Sequence, residues 1–212
     1  MSGSIVTPET RAKVRGLMTP IAVGLGRLGL TPNGLTVIGF GIACAAAGLA
    51  AGQLWLVAGL LVVFGGVFDL FDGALARATN SASRAGAFMD SVFDRWGEGV
   101  VYIGIAWGAV NGEWNVGAVL VAAAMTGAFM VSYTRAKAES LGFSPGTGMA
   151  NVGLAPREIR IAILTLGLVL AGITASTTAL AIALALIAVL ATITTIQRIV
   201  VTINQAHSQA QG

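Results

Sequence analysis

The chain has 212 residues, of which 56% are hydrophobic and only 10% are charged, and its formal net charge is +3. A soluble domain usually carries about a quarter charged residues, so this composition excludes an ordinary soluble protein and favours a membrane protein of one domain, residues 1–212. The modest charge gives no reason to expect a nucleic-acid partner. The single Cys44 excludes an intrachain disulfide.

Two long stretches, residues 28–68 and residues 161–197, contain no charged side chain. Each is longer than the roughly 20 apolar residues that span a bilayer, so we interpret each as two helices joined by a turn. The sequence therefore predicts an all-α integral membrane protein with six transmembrane helices within residues 35–204. The predicted spans are residues 35–51, 54–79, 84–110, 114–141, 157–171 and 177–204.

The segments outside these spans differ from one another in character. Residues 7–28 mix basic and apolar side chains in a pattern that is typical of an amphipathic helix lying in the membrane interface. The Gly- and Pro-rich segment 142–156 is the longest predicted loop. The polar tail 205–212 contains the only histidine, His207, and we expect this tail to be disordered.

Four aspartates interrupt the apolar sequence, Asp69 and Asp72 in the second span and Asp90 and Asp94 in the third. A carboxylate is costly in hydrocarbon and usually marks a functional site there. At about 100° per residue, each pair shares one stripe of its helix, so two antiparallel helices can present four carboxylates to one space. Four carboxylates cannot all stay ionised without cations. Ligands that are all oxygen favour Mg²⁺ or Mn²⁺, and two such ions would clamp a phosphoryl transfer.

The neighbours of the acids suit a phosphorylated ligand. Gly73 and Ala76 leave room for a bulky molecule to approach the helix, and Arg77 can pair with phosphate through a bidentate fork. Two alternatives remain open at this point. Small residues, Gly86 among them, also favour close helix packing in membranes, and the acids could form a purely structural salt-bridge network with nearby arginines.

The spacing D-x2-D-G-x2-A-R-x8-G-x3-D-x3-D, which begins at Asp69, resembles the signature of the CDP-alcohol phosphotransferases. The resemblance extends to the architecture, an interfacial N-terminal helix followed by six spans. In that family a hydroxyl attacks the β-phosphate of a CDP-linked lipid and releases CMP. The resemblance implies a membrane enzyme that uses CDP-diacylglycerol and two Mg²⁺ ions, with Mn²⁺ as an alternative, and that forms a homodimer among membrane lipids.

The resemblance also implies roles for individual residues. Asp69 and Asp90 would contact both metal ions, Asp72 the first and Asp94 the second, and Asp94 would also be the general base. The CDP-lipid would be held by residues of the signature and by the T-P-N sequence that opens the first span. These residues are Asn33, Gly73, Ala76, Arg77 and Ser83.

A second basic group lies outside the signature and comes from three different spans. Its members are Arg135, Arg157, Arg160 and Arg198. Any single one of these arginines could simply anchor the protein at the cytoplasmic face of the membrane. Taken together, they suggest a pocket for the phosphate of a small, soluble, phosphorylated polyol acceptor.

The sequence around this basic group, Y-x-R-A-K-A-E-x-x-G followed by V-G-x-x-x-R-x-x-R, is similar to the phosphatidylinositol phosphate synthase branch of the family. The resemblance implies inositol 1-phosphate as the acceptor and phosphatidylinositol phosphate as the product. That branch typically has R-P-E-R where this chain has Arg157-Glu158-Ile159-Arg160. Glycerol 3-phosphate, the acceptor of a phosphatidylglycerophosphate synthase, therefore stays an alternative.

A divalent-cation carrier is a more distant alternative, because intramembrane acids can line a permeation path. This hypothesis accounts for the four aspartates but has no use for Gly73, Ala76 and Arg77 at fixed spacing. A path would also need polar groups that continue to the far face, where the spans offer little beyond Glu98 and Glu113.

The distribution of the twelve Lys and Arg residues predicts the orientation. With six spans both termini lie on one side, and nearly all of the basic residues fall at helix ends on that side. The turns near Gln53, Asn111 and Thr174 carry none. The positive-inside rule therefore predicts a multi-pass protein of the cell membrane whose termini and aspartate site face the cytoplasm.

Overall fold

The computed structural model describes residues 8–143, 148–149 and 152–210. These residues form seven α-helices, which confirms the all-α fold class. In chain order the helices are α1 (Pro8–Arg27), α2 (Pro32–Ala51), α3 (Trp55–Ala78), α4 (Arg84–Asn111), α5 (Asn115–Ser140), α6 (Arg157–Thr174) and α7 (Thr178–Ala210).

Within the described part of the chain, four helices are long and apolar enough to cross a membrane, with mean hydropathies between 1.8 and 2.6. These four are α2, α3, α5 and α7. The other two predicted spans correspond to α4 and α6, whose charged residues lower their hydropathy. In α6 Arg157, Glu158 and Arg160 all lie in the first four of its 18 residues. That α4 and α6 also cross the membrane stays a prediction.

The two ends of the chain differ in how well the sequence anticipates them. The first segment forms the helix α1, which packs against α3. Its placement in the membrane interface stays a prediction. The expectation of a disordered tail from residue 205 is wrong, because α7 continues to Ala210. Gln and Ala are good helix formers, and extending an existing helix avoids the cost of nucleation.

The start of α2 lies three residues before the predicted start of the first span. Pro32 occupies the first helical position, where a missing N–H costs nothing. Thr31 caps the helix, because its Oγ1 accepts a hydrogen bond of 3.1 Å from the N–H of Gly34. Asn33 consequently lies in the first turn of α2.

The helices pack as a bundle in which α2 contacts both α3 and α4, while α6 lies against α3 and α7. The helix α5 packs against α4 and α7. Each of the helices from α2 to α7 contributes residues to one buried core, which includes Trp55, Tyr102 and Leu184. A smaller cluster around Leu35 and Leu75 fixes α1 and α2 against α3.

Small residues let the backbones of α2 and α4 approach very closely. A Cβ atom added at Gly104 would lie 2.2 Å from the carbonyl oxygen of Ala47, and one at Gly108 would lie 2.2 Å from that of Ala50. Neither contact could be relieved by a side-chain rotation, because the obstructing atoms belong to the backbone. The glycines therefore set the distance between these helices, as small residues do in other membrane bundles.

We expect Gly104→Ala to lower the thermal unfolding midpoint in detergent, because the added methyl group must push α2 and α4 apart. Overpacking of this kind typically costs about 1–3 kcal/mol. The matched control is Gly48→Ala, since nothing lies within 4 Å of a Cβ added at Gly48. Equal midpoints for the two variants would contradict the close approach described above.

Candidate active site

The four aspartates face one another across a space between α3 and α4. These two helices are not among the helix pairs that pack closely, although α2 packs against both. A cavity opens between α2, α3, α4 and α6, and Asp69, Asp94, Glu98 and Arg157 contribute to its lining. One acid of each predicted stripe, Asp69 of α3 and Asp94 of α4, therefore lines this cavity.

Asp72 is the most buried of the four acids, with 6% of its surface exposed. Its Oδ2 accepts a hydrogen bond of 2.7 Å from the hydroxyl of Thr36 on α2. Burial of a carboxylate needs such a donor, so Thr36, which itself lines the cavity, fixes the orientation of Asp72.

Asp69 is held by contacts from two other helices. Its Oδ2 lies 3.0 Å from Nη2 of Arg157 on α6. A Cβ added at Gly39 on α2 would lie 2.7 Å from its Oδ1. Gly39 therefore provides the room in which the Asp69 carboxylate lies.

Asp94 contacts two arginines. Its Oδ1 lies 3.1 Å from the same Nη2 of Arg157, and its Oδ2 lies 3.3 Å from Nη1 of Arg95. Arg95 also donates to the carbonyl of Ser91, at 3.0 Å. Asp90, which is half-buried, makes no hydrogen bond or ion pair with the residues described. Arg157 thus bridges one acid of α3 and one acid of α4.

The chemistry of this donor set fits a hard divalent cation. The four aspartates offer only carboxylate oxygens, and Mg²⁺ and Mn²⁺ prefer such ligands. Among the described residues no group of three or more acidic, His or Cys side chains is gathered tightly enough to hold a metal ion. Instead, the guanidinium of Arg157 supplies positive charge between Asp69 and Asp94.

The residues predicted to hold the CDP-lipid lie at the N-termini of α2 and α4 and in the last two turns of α3. Ser83 caps α4, because its Oγ accepts a hydrogen bond of 3.0 Å from the N–H of Gly86. A Cβ at Gly86 would lie 3.5 Å from Oδ1 of Asn33. The N-termini of α2 and α4 therefore come together here, and helix N-termini favour phosphate groups.

Arg77 lies on the same side of α3 as the acids. Its exposed guanidinium folds over Gly73, where an added Cβ would lie 3.2 Å from Nη1. Ala76, half-buried, lies beside it, one turn after Asp72. Gly73 thus leaves space that the guanidinium of Arg77 occupies. That Gly73 and Ala76 make room for a bulky ligand stays a prediction.

The predicted acceptor-binding arginines separate into two that are partly exposed, Arg135 and Arg157, and two that are buried. Arg157 lies at the acids, and Arg135 is a surface residue paired with Glu139 at 3.0 Å. Arg160 and Arg198 are buried, with 1% and 3% of their surfaces exposed. Sequence spacing places all four at one end of the bundle but does not distinguish these two environments.

The buried arginines have partners within the protein. Arg160 makes two hydrogen bonds to Glu98, of 3.0 and 2.9 Å, and a third to the carbonyl of Ala155. Arg198 donates to the carbonyls of Val152, at 3.0 Å, and of Val131. For Arg160 in particular, these partners differ from the phosphate predicted from the sequence.

Three residues of this region escape the sequence analysis as functional candidates: Thr36, Gly39 and Thr194. Thr194 is fully buried, and its Oγ1 accepts hydrogen bonds of 3.0 Å from the N–H groups of Leu154 and Ala155. Hydroxyl groups and glycines within apolar helices carry no distinctive spacing. Only the helix packing shows which of these residues face the acids and which face the segment before α6.

The sequence profile of the CDP-alcohol phosphatidyltransferase family matches residues 29–206. The archaetidylinositol phosphate synthase of Pyrococcus horikoshii is 36% identical over 90% of this chain and 93% of its own length. The structure of Mycobacterium tuberculosis phosphatidylinositol phosphate synthase (PgsA1) with CDP-DAG bound aligns with a TM-score of 0.79 and 31% identity, covering 87% of this chain and 92% of that one.

A second structure of the mycobacterial protein, in complex with manganese and citrate, aligns with a TM-score of 0.77 and 30% identity, over 87% of this chain and 88% of that one. The family profile and the relatives cover nearly the whole chain, including the aspartate signature. The chain is therefore an enzyme of the CDP-alcohol phosphatidyltransferase family.

Proposed function

We propose that the protein transfers the phosphatidyl group of CDP-diacylglycerol to a hydroxyl of inositol 1-phosphate. The acceptor oxygen forms a bond to the β-phosphorus, the bond from that phosphorus to the bridging oxygen of CMP breaks, and CMP leaves. The single observation that carries the proposal is the position of Arg157, a cation from α6 that contacts the acids of both signature helices. The names of the relatives support the same donor and acceptor.

The aspartates would hold two Mg²⁺ ions, or Mn²⁺, which is the ion named for one mycobacterial structure. Asp69 and Asp90 would contact both ions, Asp72 the first and Asp94 the second. When bound, two divalent ions stabilise the charge on the attacking and leaving oxygens of a phosphoryl transfer. Thr36 would keep Asp72 oriented for this role through its hydrogen bond.

Asp94 would accept the proton of the acceptor hydroxyl as that oxygen attacks. It lies on the cavity side of α4 and retains some exposure, with 16% of its side chain accessible. Its contact with Arg157 places it beside the residue that we assign to the acceptor. A base must lie within hydrogen-bond reach of the proton that it removes, and the place of Asp94 on the cavity lining supports this role.

The nucleotide would lie over the joined N-termini of α2 and α4. Asn33 and Ser83 would contact the cytidine and ribose, and Arg77 would pair with the diphosphate. Gly73 and Ala76 would provide the room for that diphosphate. Each of these residues lies at the end of the bundle that carries the acids.

The acceptor phosphate would be held by Arg157, with Arg135 and Arg198 beside it. The Nε of Arg157 is buried and has no hydrogen-bond partner among the described residues. A buried donor without a partner is costly, and a phosphate oxygen would satisfy it. Arg135 and Arg198 are near enough for their charges to repel each other, and the negative charge of a nearby phosphate would offset that repulsion.

The surface of the bundle supports placement of this enzyme in a membrane. Large apolar side chains point outward along the helices, and Ile103, Trp107 and Ile182 each expose more than 60% of their surface. Such exposure would be costly in water and is expected against lipid. We propose that the protein crosses the membrane six times, that its termini and active site face the cytoplasm, and that it forms a homodimer. Cross-linking in native membranes would test the homodimer.

The test of this function is CMP release by purified protein in detergent with CDP-diacylglycerol and Mg²⁺. Inositol 1-phosphate, glycerol 3-phosphate, serine and inositol would be compared as acceptors. We expect inositol 1-phosphate to give the highest kcat/KM. Glycerol 3-phosphate as the best acceptor would instead make the protein a phosphatidylglycerophosphate synthase, and serine or free inositol would exclude a phosphate-binding role for the arginines.

The family is one of transferases, and we assign the aspartates to that activity, so a cation carrier has no support beyond the acids themselves. Uptake of Mn²⁺ into vesicles that contain the protein would nevertheless separate the two activities. A carrier moves the ion without releasing CMP, whereas the proposed enzyme releases CMP without moving the ion.

We expect Arg157→Gln to raise KM for inositol 1-phosphate by about ten- to a hundredfold, because one or two charge-assisted hydrogen bonds of about 1.5–3 kcal/mol are lost. KM for CDP-diacylglycerol should change far less, since Arg77 and the aspartates hold that substrate. Steady-state kinetics with each substrate varied in turn would measure both values. Equal increases for the two substrates would contradict an acceptor-specific role.

A further inference from the structure

Two ion pairs connect α4 to α6 as successive rungs. The outer rung joins Asp94 to Arg157 at 3.1 Å, and the inner rung joins Glu98 to Arg160 at 2.9 Å. Asp94 and Glu98 are four residues apart on α4, and Arg157 and Arg160 are three apart on α6, so each pair of neighbours shares a helix face. The inner rung therefore lies about one helical turn deeper than the outer one.

The two rungs differ sharply in their surroundings. The side chains of Arg157 and Asp94 are 24% and 16% exposed, whereas those of Arg160 and Glu98 are 1% and 3% exposed. The inner pair is also bidentate, with hydrogen bonds from Nε and Nη2 of Arg160 to the two carboxylate oxygens of Glu98. A planar fork of this kind fixes both distance and orientation.

The third hydrogen bond of Arg160 reaches the segment that leads into α6. Its Nη1 donates to the carbonyl of Ala155, at 3.0 Å, while the N–H of Ala155 donates to Thr194 on α7. Ala155 is fully buried and lies two residues before Arg157. The peptide groups around Ala155 are thus held from both sides, by α6 and by α7.

We propose that the Glu98–Arg160 pair is a positioning device, which sets the register of α6 against α4 and so directs Arg157 towards the acceptor phosphate. This inference rests on the proposed function, in which Arg157 binds that phosphate. We assign Arg160 no contact with the acceptor, because it is 1% exposed and its Nε, Nη1 and Nη2 each donate to Glu98 or Ala155. Glu98 acts through Arg160 and has no contact with substrate.

A direct role for Arg160 and a positioning role predict opposite effects of changing Glu98. If Arg160 bound phosphate directly, Glu98→Gln would release the guanidinium and leave acceptor binding unchanged or improved. If the pair positions Arg157, losing either partner misplaces that residue, and small misplacements are costly in active sites. Glu98→Gln and Arg160→Gln should then have matching effects.

The experiment is a double-mutant cycle with Glu98→Gln and Arg160→Gln, each made in the wild-type chain and in Arg157→Gln. We expect each single change to raise KM for inositol 1-phosphate by about tenfold, with KM for CDP-diacylglycerol changed less than about twofold. Because the pair acts as a unit, the double change should be no worse than the larger single one. In the Arg157→Gln background the further effect should be less than about twofold.

Controls keep this result separate from loss of folding. Breaking one partner of a buried pair destabilises a protein, whereas replacing both by apolar residues is often tolerated. Glu98→Leu combined with Arg160→Met should therefore keep the unfolding midpoint close to that of the wild type and still raise acceptor KM. Glu113→Gln, at an exposed position of the α4–α5 turn, is the matched control and should leave both KM values unchanged.

Hydrogen exchange of residues 152–160 gives a readout that does not depend on the acceptor. We expect faster exchange in Arg160→Gln than in the wild type, because the Ala155 carbonyl loses its donor. Any one of three results would overturn the positioning role. These are unchanged hydrogen exchange in Arg160→Gln, an unchanged acceptor KM in Glu98→Gln, and an effect of either change on acceptor KM that is as large in the Arg157→Gln background as in the wild type. If the wild type released no CMP with any phosphorylated acceptor, the proposed function would fail instead, and the exchange result would still decide whether the pair holds this segment.

Discussion

Replacing any of Asp69, Asp72 or Asp90 by Asn is expected to remove CMP release almost completely. Each change deletes one anionic ligand of the proposed divalent site while keeping the size of the side chain. Stabilisation by such a site is worth several kcal/mol, and each 1.36 kcal/mol is a factor of ten in rate, so we expect kcat to fall by about 10³-fold or more. Radiolabelled CMP release by purified variants measures the effect.

Chelation should reproduce the loss in the unmodified protein. Excess EDTA is expected to abolish activity, and Mg²⁺ or Mn²⁺ added back should restore it in the wild type but not in the three variants. Glu113→Gln, which changes a carboxylate outside the cavity, should keep full activity. Full turnover in EDTA would rule out the divalent-ion mechanism, whatever the variants do.

The parts of this site that could be predicted from sequence are those whose spacing has a physical meaning. Asp69 and Asp72 share a face because they lie one turn apart, and Asp90 and Asp94 do so for the same reason. Acids are also conspicuous in apolar sequence, where their cost demands an explanation. Local rules of this kind require no knowledge of how the helices pack.

The partners of the acids could not be predicted in the same way. Thr36 lies 36 residues from Asp72 along the chain, and Arg157 lies 88 residues from Asp69. Nothing in an apolar helix distinguishes Thr36 from other threonines before α2 is packed against α3. The sequence placed Arg157 in the acceptor group, and only the tertiary structure brings it into contact with the acids.

Arg160 shows how sequence analysis can assign one role to two different residues. Arg157 and Arg160 share a helix face, so their spacing predicts the same role, phosphate binding, for both. In the folded bundle the two arginines lie at different depths: Arg157 meets Asp94, and the more deeply buried Arg160 meets Glu98. The sequence does not pair Glu98 with Arg160, because a buried ion pair between two helices that are distant along the chain leaves no periodic signal.

Asp94→Asn should lower kcat by roughly 10²–10⁴-fold, the usual contribution of a general base. Asn keeps the shape of the side chain but cannot accept the proton of the acceptor hydroxyl. Binding of CDP-diacylglycerol should be weakened much less, because the nucleotide contacts lie at Asn33, Ser83 and Arg77. Single-turnover kinetics separates the two quantities, since the rate at saturating substrate reports the chemical step.

The position of Asp94 makes a second interpretation testable in the same experiment. It is paired with Arg157 and Arg95, so the substitution could also act by releasing Arg157 from α4. In that case KM for inositol 1-phosphate would change as it does in Arg157→Gln, and kcat would stay near that of the wild type. A loss of rate that high Mg²⁺ restores would instead make Asp94 a metal ligand only. A fall in kcat that neither Mg²⁺ nor saturating acceptor restores is the result that identifies Asp94 as the base.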